Sequence, residues 1–231
     1  MKYNKHAFAI MLTLIFILTS GLSLADEERH TKKIKYKVTI TNLTRGQVFS
    51  PPIVIAHDSN FSLFTLGDAA SDGLALLAEE GNPEELIDAL NPKFDYAVAD
   101  GPVLPGDSDS VTLEIGNRSR SRLISVAAML VTTNDAFLAV RDVWFLGKYN
   151  KIVDAVAYDA GSEINSEDCQ DIPGPPCGEP NEHPDIEAEG YVHIHAGIHG
   201  TSPDGVVSSL KPAMLDWKNP VAKITIRRIY H

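Results

Sequence analysis

The sequence predicts an all-β-dominated protein, an antiparallel β-sandwich with a short two-helix insertion. Residues 33–40 and 222–229 alternate polar with apolar side chains, the pattern of strands with one wet face. Between them lie short apolar runs separated by Pro, Gly, Asn and Asp, and strands of that length with turns between them suit a sandwich.

The first 25 residues read as an export signal. Lys2 and Lys5 supply the positive n-region, residues 7–18 are almost unbroken apolar sequence, and Ser23-Leu24-Ala25 places small residues where a signal peptidase reads. The apolar run falls short of the ~20 residues that span a bilayer. Cleavage after Ala25 is expected, leaving no membrane span, no cysteine for lipid attachment, and a secreted or periplasmic chain of about 206 residues. Residues 26–33 form a short extension and 34–231 a single domain.

The strand at 33–40 is followed by PPIVIAH at 51–57, SVTLEIG at 110–116, LISVAAMLV at 123–131, VDAVAYD at 153–159 and the closing strand at 222–229. The insertion spans about 68–90. Leu74, Leu77 and Ala78 recur at helical spacing, Gly81 is a stop and Pro83 a first residue for a second helix, so two short helices should cover one end or edge of the sheets. Glu79, Glu80, Glu84 and Glu85 read as a solvated face. The stretch at about 160–190, rich in Pro, Gly and acids, reads as a long loop. It holds the only cysteines, Cys169 and Cys177, whose spacing of eight in an oxidising compartment predicts a disulfide.

Charge restricts the partners. Losing Lys2 and Lys5 with the leader leaves 18 basic against 31 acidic residues, a formal charge of −13. Such a surface repels nucleic acid and anionic lipid and gathers cations. No P-loop, GxGxxG, HExxH or GxSxG motif occurs, and His57-Asp58 has no nucleophile in a recognisable context, so no enzyme is expected. Asn42, Asn60 and Asn117 fit the glycosylation pattern.

The densest cluster of ligand-type residues is YVHIHAGIHG at 191–200. As a strand it would place Val192 and Ile194 on one face and Tyr191, His193 and His195 on the other. With His199, these imidazoles make a candidate zinc or copper site.

Five segments in order carry a family resemblance: SPPIVIAHDSNFSLFTLGDAASDGLALLAEEGNPEELIDAL from Ser50, AMLVTTNDAFLAV from Ala128, YDAGSEINSE from Tyr158, VHIHAGIHG from Val192 and DWKNPVAKITIRRI from Asp216. Together they resemble the spondin N-terminal domain family in its bacterial form, over residues 34–230. The resemblance implies a C2-like sandwich, as in the F-spondin N-terminal domain, with a calcium site in the loops at one end. In animal members that site is associated with an aspartate in Ser-Pro-Asp-Trp and two acids in Asp-Ala-Gly-Thr-Asp. Matched here, these are Asp135 in Thr133-Asn134-Asp135-Ala136, and Asp159 and Glu163 in Asp159-Ala160-Gly161-Ser162-Glu163. Two positions depart: Ala136 replaces the aromatic, and Glu163 is one methylene longer than the aspartate of the motif. The resemblance makes His57-Asp58 and the histidine segment structural landmarks.

The residues themselves allow this site. Calcium takes six to eight oxygens at about 2.3–2.6 Å, so it draws carboxylates from more than one loop. Asp135 follows a strand-like run, and Asp159 and Glu163 flank a glycine suited to a left-handed turn. The plainer alternative makes Asp135 a turn former and Asp159 a loop acid bound to nearby amides. Two functions are therefore in view. One is a secreted, non-enzymatic calcium module that binds an extracellular or envelope macromolecule. The other is a small extracellular zinc or copper metalloprotein using His193, His195 and His199, with metal-dependent catalysis as its enzymatic form.

Overall fold

The structure is a computed structural model that describes residues 33–90, 92–116, 119–147, 149–178 and 188–230. The leader expected over 1–25 and the sequon asparagine Asn117 lie outside them. Twelve elements follow in order: β1 (Ile34–Asn42), β2 (Ile53–His57), α1 (Asp72–Glu80), α2 (Glu84–Leu90), β3 (Asp95–Val98), β4 (Ser108–Ile115), β5 (Leu123–Met129), β6 (Ala136–Trp144), β7 (Lys151–Asp159), β8 (His193–Ile194), α3 (Pro212–Leu215) and β9 (Ala222–Ile229). The protein is dominated by antiparallel β-structure, with the two-helix insertion between β2 and β3. Among the described residues no helix is long and apolar enough to cross a membrane.

One strand joins the two layers. The first half of β7, Lys151 to Ala155, pairs with β9, whereas its second half, Val156 to Asp159, pairs with β6. The path β3-β2-β5-β6-β7-β9-β1-β4 is thereby continuous, with β8 paired to the end of β7. Alternation fills the space between the layers. Tyr36, Val38 and Ile40 of β1, Val111 and Leu113 of β4, and Ile224 and Ile226 of β9 share one buried cluster with Val54, Val126, Ala128 and Leu138 of the other layer.

The helices cover a face of the second layer, not an end or edge as the sequence had suggested. Leu74, Leu77 and Ala78 of α1 and Leu86 and Leu90 of α2 pack on Ile53, Ile55, Ala127 and Phe137 in a second core cluster. This explains why all five residues of β2 are buried: an apolar run with no alternation is a strand covered on both faces. The helix boundaries match the sequence signals. Ser71 Oγ accepts from the Leu74 N–H, and Gly81, at φ +69°, ends α1 by donating to the Leu77 carbonyl. Pro83 immediately precedes α2.

Other expectations resolve locally. Cys169 and Cys177 form the disulfide. His57 is buried, with Nδ1 on the Asp58 carbonyl and Nε2 on Ser125 Oγ, and so ties β2 to β5. Asn42 is buried, its amide donating to the Gln47 and Val103 carbonyls, which closes that sequon in the folded chain.

Candidate metal centre

The site forms where β7 ends. Asp135 closes the turn between β5 and β6, where Thr133 Oγ1 donates to the Leu130 carbonyl and accepts from the Ala136 N–H. Ala136 opposes Asp159 in the β6–β7 register, and the Ala160 N–H donates to the Asp135 carbonyl, so the two aspartates arrive side by side. Asp159 Oδ1 accepts from the Gly161 N–H at 2.8 Å. Gly161 lies at φ +67°, and a Cβ there would stand 2.3 Å from the Tyr191 carbonyl oxygen. Only glycine lets the 190–195 segment pass this close. That approach pairs β8 with β7 and sets His193 opposite Asp159.

Both aspartates are fully buried, and their partners are uneven. Asp135 Oδ2 accepts from the N–H groups of Ser162 and Glu163, at 2.8 and 3.1 Å, while Asp135 Oδ1 is buried with no hydrogen-bond partner among the described residues. Asp159 Oδ2 accepts from Asn165 Nδ2 at 2.7 Å. Burial first, and then the neighbouring Asp159, push the Asp135 carboxyl up to about 8. Burial also raises Asp159, against the opposing pull of the Asn165 amide and His193. Two buried acids with an orphaned oxygen form a place that holds a proton or a cation.

His193 and His195 both face Asp159, Nε2 to carboxylate at 3.5 and 3.8 Å, but among the described residues the three histidines do not form one tight group of ligand atoms. His195 is buried against Trp217, its Nδ1 accepting from the Gly197 N–H at 2.9 Å and its Nε2 facing Asn165 Oδ1 at 3.0 Å. An Nδ1 that accepts leaves the proton on Nε2, so Nε2 donates to Asn165 and neither nitrogen offers a lone pair to a metal. Burial holds this ring down to about 4, and hence neutral. His199 is exposed, and its backbone N–H donates to the buried Glu167 carboxylate. The reason for the divergence is local: β8 is two residues long, and the strand alternation that would align the rings stops at Ile194.

No protein-family model matches the chain, and no curated protein matches it. The site must therefore be argued from its own residues. Among the described residues, one set offers ligand atoms all within 4.8 Å of one another: Asp159, Glu189 and His193. Of the acids expected from the resemblance, Asp135 adjoins this set through Asp159, and Glu163 is brought in by its backbone N–H on Asp135. Sequence reasoning missed Glu189 and Asn165. Glu189 stands two residues before the histidine segment in a loop with no periodicity, and Asn165 is recognisable only once its amide is seen to link His195 to Asp159.

Proposed function

We propose that the protein is a secreted, non-enzymatic, spondin-like module with a C2-like sandwich. In this reading it binds calcium at the end of the sandwich where Asp135 and Asp159 meet, and uses that ordered end to engage an extracellular or envelope macromolecule. The observation that carries this reading is Asp135 Oδ1, a buried carboxylate oxygen without a donor among the described residues, beside a second buried carboxylate. A hard cation satisfies both acids at once. Asp135, Asp159 and Glu163 are its proposed carboxylate ligands, with loop carbonyls and water completing the oxygen shell.

The disulfide favours an oxidising compartment.

Calcium added to chelator-treated protein is expected to raise the melting temperature, because a ligand at 100 times its dissociation constant adds about 2.7 kcal/mol. Asp135→Asn should abolish that rise. A wild-type melting temperature indifferent to millimolar calcium would overturn the proposal.

A further inference from the structure

A second arrangement at the same end points to a different ion. His193 Nε2 lies 3.5 Å from Asp159 Oδ1, longer than a well-formed hydrogen bond. The other ring nitrogen, Nδ1, lies 3.1 Å from the Ile194 carbonyl oxygen. A carbonyl only accepts, so Nδ1 carries the proton, and in the neutral ring Nε2 presents a lone pair. That lone pair faces a carboxylate, which is also only an acceptor. Two acceptors held face to face are satisfied by a shared proton, from the ring or from the carboxyl, or by a metal ion.

Glu189 weighs the choice toward the metal. Its carboxylate joins Asp159 and His193 in the group whose ligand atoms lie within 4.8 Å of one another. A ring proton supplies one positive charge to two carboxylates, whereas a divalent ion balances both. The ring is also held as metal-bound imidazoles are held, with the non-ligating N–H on a backbone carbonyl. His195, two residues on, lacks this arrangement because both of its nitrogens are taken.

We propose that Asp159, Glu189 and His193 form a solvent-facing site for a borderline divalent cation, represented by zinc, next to the calcium position. One imidazole with two carboxylates suits zinc, which binds three protein ligands and keeps a fourth position open. Calcium, which prefers oxygen, gains little from the nitrogen. This goes beyond the calcium reading and shares only Asp159 with it. The proposal keeps His193 of the sequence-based zinc or copper site and sets two acids where that site had His195 and His199.

The test is a zinc titration of the purified, chelator-treated protein against a chromogenic zinc chelator. One zinc per chain is expected. His193→Ala and Glu189→Gln should each weaken zinc by more than about tenfold, while His199→Ala leaves it unchanged and all three keep the calcium-dependent rise in melting temperature. Glu189 is exposed, so its variant keeps the test open should His193→Ala fail to fold. Wild-type protein without zinc, or undiminished zinc in the Glu189 and His193 variants, overturns the site and leaves a proton between His193 and Asp159. Zinc retained in a wild-type protein that shows no calcium response would instead overturn the calcium reading alone.

Discussion

Gly161 is where a single atom decides whether the site exists. Its positive φ turns the chain out of β7, its N–H fixes the Asp159 carboxylate, and its missing side chain leaves room for the Tyr191 backbone. Gly161→Ala should therefore cost roughly 1–3 kcal/mol, combining left-handed strain with displacement of the 190–195 segment. Gly101→Ala is the matched control, since a Cβ there meets nothing within 4 Å. Chemical denaturation of the two variants checks this, and equal stabilities would contradict it. At this scale the sequence was informative for residues whose role is local: Gly81, read as a helix stop, acts on Leu77 four positions back. It was silent on Asn165 and Glu189, whose partners come from other segments. Nor does spacing along a chain reveal that Gly197 and Asn165 contact the His195 ring.

The helical insertion shows what a covered face does to a strand. Because α1 and α2 seal the outer side of β2, β5 and the first half of β6, those stretches lose their alternation and are buried on both faces. The open-faced strands β1 and β9 were legible from alternation, and the run at β2 from its turn signals. By contrast β3, four residues long and nowhere fully buried, and β6, continuous with the turn that bears Asp135, gave no periodic signal. Leu77, fully buried between α1 and the sheet, is the probe of this layer. Leu77→Ala should lower unfolding free energy by about 2–5 kcal/mol, as large-to-small changes in packed cores do. A loss under about 1 kcal/mol in urea melts would mean that the helices are a dispensable cover.

For the whole molecule, the acidic end couples stability to pH. The folded Asp135 carboxyl, pushed up to about 8 by burial and by Asp159, keeps a proton that the unfolded chain, with an ordinary value near ~3.9, has lost. The folded state then binds more protons than the unfolded, so stability falls as pH rises through that window. His195 acts oppositely, because burial holds it down to about 4 against an ordinary value of ~6.5. Its contribution is complete above about pH 6.5 and is lost as pH falls toward 4. Between about pH 6.5 and 8 the Asp135 contribution falls, and burial shifts Asp159 in the same direction. The melting temperature in chelator should therefore decrease across this range, and saturating calcium should reduce the decrease. A flat or rising profile in chelator would contradict the burial of an uncompensated acid pair.

If the orphaned oxygen of Asp135 marks the proposed cation site at one end of the β-sandwich, calcium stoichiometry at equilibrium on wild-type protein and on Asp135→Asn reveals it. One calcium per wild-type chain and none for the variant is expected, with both proteins folded. Wild-type protein that binds no calcium, or a variant that binds it equally well, would rule the site out.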